Sequence, residues 1–276
     1  MTRPARPSDP PLQRADLPAG PFSYTDEGSG PAVVAVPGYP GGPRDFRWLA
    51  PALGADLRLI RLCMPGFGET PLSTEPAVDL VTRARFVAAA IDALGLPEVL
   101  VVGHSMGGAL AGLAATELDT AVRGVALLCS IGPTPHPGVR DPRLHHLRRV
   151  ARWPAVGWAV RRSLPAIFEH MGFPRRWSIP QLLHTLDCAA GLDFAPWAER
   201  IPTLPAPTLV AWGQDDPLIP TPIAEALAQR APAGPRLAFP SGGHNIQKHH
   251  AVEIAAAIRG MLGLPAWEEE AAATAP

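Results

Sequence analysis

Ser105 stands in Gly103-His104-Ser105-Met106-Gly107, a G-x-S-x-G pattern. Glycines two residues to either side leave room for a very tight turn, needed for space as much as for φ/ψ freedom. A serine hydroxyl is a poor nucleophile at neutral pH. It needs an adjacent base, usually histidine, and the base needs a carboxylate to hold its tautomer. Both follow downstream, in Gly213-Gln214-Asp215-Asp216-Pro217 and in Ser241-Gly242-Gly243-His244-Asn245. Asp216, three residues past the glycine and before a proline, is the better orienting acid. Asp215 is expected to be a turn residue with a local hydrogen bond. His244 follows a short strand and two glycines, where a base can reach the serine. His136, His145, His146, His170 and His184 fall in an earlier segment, His249 and His250 open a helix, and His104 reads as packing at the turn. Such a set performs acyl transfer, which also needs donors for the developing oxyanion. The amide of Met106 is one. Tyr39 is the second, because Pro37, Pro40 and Pro43 around it have no N–H. The bland alternative is a glycine-rich strand-to-helix turn with an idle serine.

The elements that must position these residues follow from hydrophobic patterning. Val99–Val102 is an apolar strand running into Ser105, and a small, Ala-rich helix follows from Gly107 to about Glu117. Ala32–Val36, Leu57–Leu62, Val122–Cys129, Thr208–Gly213 and Pro235–Phe239 read as further strands, with a short one at Gly20–Asp26. Helical spacing covers Asp45–Leu53, Val78–Leu94, Pro222–Ala231 and Ala251–Leu262. Strands alternating with helices predict an α/β fold with a mostly parallel central sheet and helices on both faces. In such sheets ligands bind beyond the carboxyl ends of the strands, which is where Ser105 falls. The alternation stops at 133–205, a stretch too long for a plain loop, so an inserted helical lid is expected there. The predicted organisation is a flexible lead-in at 1–18, a core at 19–132 and 206–264, the lid at 133–205, and a loose tail at 265–276.

Composition narrows the options. The 276 residues are 47% hydrophobic with a formal net charge of −1, which gives no electrostatic case for nucleic acid. Cys63, Cys129 and Cys188 are odd in number and far apart, as expected of free thiols in a reducing compartment. The opening residues carry no apolar signal-type run and no stretch is long enough to span a membrane, so a cytoplasmic protein is expected. No metal or cofactor is expected. The segment 133–205 holds ten arginines against five acids, with Trp153, Trp158, Trp177, Phe168 and Phe173 among them. It is either a solvated helix face above an apolar roof, or a surface for an acidic or amphiphilic acyl substrate or an anionic membrane.

Together these motifs resemble the α/β-hydrolase fold superfamily, in its lidded branch. The resemblance runs from about Phe22 to Leu262. It rests on Gly103-His104-Ser105-Met106-Gly107-Gly108, Trp212-Gly213-Gln214-Asp215-Asp216-Pro217, Gly243-His244 and Met64-Pro65-Gly66-Phe67-Gly68. It implies triad roles for Ser105, Asp216 and His244, and a lid that roofs the pocket and sets substrate choice. Two loops depart from the family's pattern. Pro37-Gly38-Tyr39-Pro40 lacks the usual leading histidine, and Cys63-Met64 stands where an acid is usual before Pro65-Gly66. Neither change removes a catalytic group. Ser105 argues against the superfamily's haloalkane dehalogenases and epoxide hydrolases, which use an aspartate nucleophile. The expectation is a serine hydrolase acting on carboxylic esters, thioesters or lactones. The alternatives are carbon–carbon bond hydrolysis or cofactor-free perhydrolysis on the same triad, or a non-catalytic ligand-binding protein.

Overall fold

The computed structural model describes residues 9–73, 76–205 and 207–267. The chain opens with β1 (Gln13–Leu17), β2 (Gly20–Glu27) and β3 (Ala32–Val36), then α1 (Leu49–Leu53), β4 (Arg58–Leu62), α2 (Leu80–Ala93), β5 (Glu98–His104), α3 (Met106–Ala115) and β6 (Ala121–Leu128). Helices α4 (Pro137–Arg140), α5 (Pro142–Ala151), α6 (Gly157–His170), α7 (Ile179–Ala190) and α8 (Ala195–Arg200) follow without a strand. The chain then resumes alternation with β7 (Thr208–Gly213), α9 (Thr221–Arg230), β8 (Arg236–Phe239), α10 (Ile246–His249) and α11 (Ala251–Met261).

The eight strands form one sheet in the order β1-β2-β4-β3-β5-β6-β7-β8. The pairs β1/β2 and β2/β4 are antiparallel and the rest are parallel. All five residues of β3 are buried, as a strand covered on both faces requires. One face packs Val34, Val101, Val125 and Val210 under α2, α3 and α9, and the other packs Val33, Leu100, Ala126 and Leu209 under α1 and α11. Register decides where the chemistry lies. Val36 pairs with Gly103, His104 with Leu128, Leu128 with Ala211, and Gly213 with Phe239. The carboxyl ends of β3, β5, β6, β7 and β8 therefore line up along one edge.

Three expectations need correction. The lead-in is not loose throughout, since Gln13–Leu17 pairs with β2 in a hairpin whose register closes at Leu17↔Gly20. No proline falls between Pro11 and Pro18, so this short stretch keeps the N–H groups a ladder needs. At the other end, residues 265–267 fold back onto the core. Arg259 donates from Nε to the Pro265 carbonyl, and its guanidinium lies 5.4 Å from the Trp267 ring centroid. The remaining parts of those two segments, 1–8 and 268–276, lie outside the described residues. The helix expected over Asp45–Leu53 is split into a 3₁₀ turn at Pro43–Phe46 and α1.

The segment between β6 and β7 is helical, with a small core of its own formed by Leu164, Phe168, Leu182 and Leu186. Asp187 on α7 ties it together by accepting hydrogen bonds from Arg148 on α5, at 2.7 Å, and from Arg152 just past its end. Polar contacts fasten it to the sheet domain. Arg176 donates to Asp45 at 2.8 Å, and Gln181 Nε2 donates to the Gly66 carbonyl at 3.0 Å. Trp197 on α8 is fully buried and donates from its indole N–H to the Ile131 carbonyl at 3.0 Å.

Candidate active site

Ser105 sits between β5 and α3 at φ 57°, ψ −126°, in the left-handed region that a non-glycine residue occupies only when its surroundings enforce it. Three backbone hydrogen bonds enforce it here. Ser105 N–H donates to Leu128 O, and the Ser105 carbonyl accepts from Gly108 and Ile131. The flanking glycines serve space and not left-handed backbone, since neither Gly103 nor Gly107 has positive φ. A Cβ at Gly103 would lie 2.2 Å from Gly107 O, and one at Gly107 would lie 2.3 Å from Pro37 O. The loop after β3 passes directly over the serine, because a Cβ on Gly38 would stand 3.0 Å from Ser105 Cβ.

Asp216 and His244 meet beyond β7 and β8. His244 Nδ1 lies 2.8 Å from Asp216 Oδ2, and both side chains are shielded from water. The other Asp216 oxygen accepts from the amides of Leu218 and Ile219. Burial pushes the Asp216 carboxyl up, but the hydrogen bonds from His244 and those two amides outweigh it, so the group is held below its ordinary value as an anion. An anionic acceptor at Nδ1 selects the tautomer with its proton there, which leaves Nε2 as the free base. Ser105 and His244 line one cleft of about 290 Å³ with Gly38 and Tyr39. A second cavity of about 620 Å³ opens from Ser105 and Met106 under the inserted helices, with Leu144, Val160, Phe168 and Leu186 in its wall.

Asp215 does something the sequence reading missed. Its carboxylate accepts from the amides of Gly242 and Gly243 at 3.2 and 2.7 Å, which is not a local turn bond. It anchors the loop that carries His244. His104 also does more than pack. Its Nε2 lies 2.7 Å from the His244 carbonyl, and the two rings are 4.8 Å apart. Burial, with the neighbouring His244 ring adding to it, pushes the His104 pKa down to about 3. The neutral ring donates through Nε2 and holds the backbone of the candidate base.

This buried neutral histidine predicts an acid sensitivity. Below its ordinary pKa of 6.5 the unfolded chain takes up a proton at His104 that the folded chain refuses until pH falls to about 3. Stability is therefore lost as pH falls across that window, by up to about 1.4 kcal/mol per unit from this group. Urea unfolding of wild type and His104→Gln between pH 7 and pH 4 should show a shallower acid decline in the variant. Parallel declines would refute the assignment.

Other participants were invisible in the sequence because their partners are remote. Arg83 on α2 is 2% exposed and makes no ion pair among the described residues. Its Nη1 lies 3.0 Å from Met106 Sδ and its guanidinium 4.9 Å from the Tyr39 ring centroid. The cation thus braces, from behind, the two residues expected to hold an oxyanion. Asp45 accepts from Gly42 N–H at 2.8 Å, so the loop lacking the usual histidine is supported by a carboxylate from its own 3₁₀ turn. His136 reaches the large cavity with its Nδ1 buried and without a hydrogen-bond partner among the described residues, and burial pushes its pKa down to about 4.

Among the described residues one cluster has ligand-type atoms close enough for a metal ion. Cys129 Sγ, an Asp216 oxygen and a His244 nitrogen lie within 4.8 Å of one another. Asp216 and His244 are already bonded to each other there. The Cys129 thiol lies 3.6 Å from the Gly243 carbonyl, and burial pushes its pKa well up, so the sulfur is a protonated neighbour of the pair.

A parallel sheet with helices on both faces, a strained serine at the end of β5, and an Asp–His pair beyond the next strands together define the α/β hydrolase class. The chain belongs to the alpha/beta hydrolase family, whose profile matches residues 33–257. It is 27% identical over 251 residues to a 2-hydroxy-6-oxo-6-phenylhexa-2,4-dienoate hydrolase from Burkholderia cepacia, covering 82% of this chain and 85% of that one. Among solved structures, an α/β hydrolase fold protein from Burkholderia ambifaria superposes with a TM-score of 0.76 at 22% identity, covering 91% and 98% of the two chains. A thermophilic esterase from Thermogutta terrifontis gives a TM-score of 0.66 at 24% identity, covering 91% of this chain and 98% of its own. At these identities the superpositions carry the fold, and the protein is a hydrolase of this family.

Proposed function

We propose that the protein is a serine hydrolase that cleaves carboxylic esters through an acyl-enzyme, with Ser105 as nucleophile, His244 as base and Asp216 as orienting acid. The reading rests on the 2.8 Å contact between Asp216 and His244 beside a cleft that also holds Ser105. His244 Nε2 takes the Ser105 proton as Oγ attacks the substrate carbonyl. The amides of Met106 and Tyr39 receive the oxyanion. His244 then protonates the leaving alkoxide, and a water deprotonated by His244 releases the acid. The larger cavity takes the acyl chain, and the helices of 133–205 serve as its lid. Free, buried Cys63, Cys129 and Cys188 support a cytoplasmic setting, and no helix among the described residues is long and apolar enough to cross a membrane.

A second reading has support of its own. The Burkholderia cepacia relative is named as a dienoate hydrolase, and the same three residues can cleave a carbon–carbon bond next to a ketone. One panel separates the two. Purified protein is assayed with p-nitrophenyl esters of graded chain length and with a 2-hydroxy-6-oxo-dienoate. Turnover of the esters with kcat/KM rising to medium chain length supports the first reading. A preference for the dienoate by more than a hundredfold supports the second. Failure of a fluorophosphonate probe to label Ser105 would sink both in favour of a non-catalytic binding protein.

A further inference from the structure

The basic segment of the insertion has two faces. From Pro142 to Arg162 the chain holds six arginines and no acid. On α5, Leu144, Leu147 and Val150 recur at i, i+3 and i+6 and line the large cavity. The opposite face carries His145, Arg149 and Arg152 toward solvent. Where α5 turns into α6 the exposed side chains become apolar. Trp153 is 59% exposed, Val156 43% and Trp158 63%. Seven large apolar side chains are exposed among the described residues, and these three with Met171 place four of them within 153–171. Arg162 lies one turn after Trp158 on the same face of α6. Arg148 and Arg152 share the single carboxylate of Asp187, so that group of three keeps a positive charge. Arg149 and Arg162 make no ion pair among the described residues.

Two exposed tryptophans set in an acid-free run of arginines are poorly suited to water and to an acidic groove alone. They suit the headgroup boundary of a bilayer, where indole rings settle and arginines meet lipid phosphates. We infer that the α5–α6 elbow is a docking surface for an anionic membrane, with Trp153, Val156 and Trp158 entering the interface and Arg149, Arg152 and Arg162 contacting phosphates. The cavity runs along the other side of the same helix, and its rim includes the exposed Arg143, His146 and Met171. A docked molecule thus has its acyl pocket close to a source of amphiphilic esters. That supply of substrate rests on the hydrolase reading, whereas the docking does not.

Co-sedimentation with phosphatidylcholine vesicles, with and without phosphatidylglycerol, tests the surface. The expected result is binding to the phosphatidylglycerol vesicles with a blue shift of tryptophan emission, weakened roughly tenfold or more by high salt. Two independent variants, Trp153→Ser/Trp158→Ser and Arg149→Glu/Arg162→Glu, should each lose at least about tenfold in partitioning. None of the four residues lines the cavity, so both variants should keep wild-type turnover of a water-soluble ester, which also reports that they are folded. Absence of wild-type binding to anionic vesicles overturns the proposal, as does equal binding by the variants. A wild-type dimer that Trp153→Ser/Trp158→Ser dissociates, without vesicle binding, would assign the face to a second copy of the chain. Ser105→Ala should bind vesicles like wild type, so a failure of the hydrolase reading leaves this result standing.

Discussion

Ser105→Ala is expected to lower kcat/KM for p-nitrophenyl butyrate by about 10⁵-fold or more, with KM within a few-fold of wild type. In the proposed mechanism the acyl chain lies against the apolar wall of Leu144, Val160, Phe168 and Leu186, and the hydroxyl contributes almost nothing to binding it. It contributes the bond that forms. Without Oγ, the amides of Met106 and Tyr39 can still polarise a carbonyl, but only for direct attack by water, so a small residual rate is expected. Alanine is no better suited than serine to φ 57°, and the three backbone bonds that hold the turn do not involve the side chain. The variant should therefore fold like wild type, and lost activity can be read as lost chemistry. Steady-state kinetics with a thermal melt as control decide the matter. Activity within tenfold of wild type would end the acyl-enzyme mechanism.

The second large effect separates neighbouring carboxylates. Asp216→Asn should reduce kcat by about 10⁴-fold, because an amide at this place no longer selects the tautomer with the proton on Nδ1 or stabilises the imidazolium that forms. Asp215→Asn should cost far less, about tenfold to a hundredfold, since Asp215 grips the amides of Gly242 and Gly243 and never touches the imidazole. The signatures also differ. Loss of Asp216 alters the pH profile of kcat, whereas loosening the loop at Asp215 leaves its shape and lowers its height. If Asp215→Asn were the more damaging, the roles of the two residues would be reversed.

The parallel sheet was legible because continuous β-branched runs such as Ala32–Val36 and Val99–Val102 admit few other readings. Three of the five inserted helices, α5, α6 and α7, lie where helical spacing over 144–150, 157–164 and 180–190 points, though Pro165 sits inside α6 without ending it. Strand β1 was less legible, because an edge strand of mixed burial next to several prolines shows no hydrophobic period. The short helices α4 and α10 have too few residues to display one.

By itself the sequence determined which groups are available and in what order: a serine between glycines, a pair of aspartates, a histidine past two glycines, and an arginine-rich insertion. Those follow from local rules, because turns, strands and helix starts are set by near neighbours along the chain. Only the tertiary structure places the Asp216 carboxylate, and not that of Asp215, against the His244 ring, since the contact is made with a loop 28 residues away. It alone revealed that His104 holds the His244 carbonyl, that Arg83, with no ion pair among the described residues, stands behind Met106 and Tyr39, and that Trp153 and Trp158 face outward. The physical reason is common to all of these. Hydrogen bonds and charges act over a few ångströms of space, and the register of a folded sheet, not separation in sequence, decides which groups come that close.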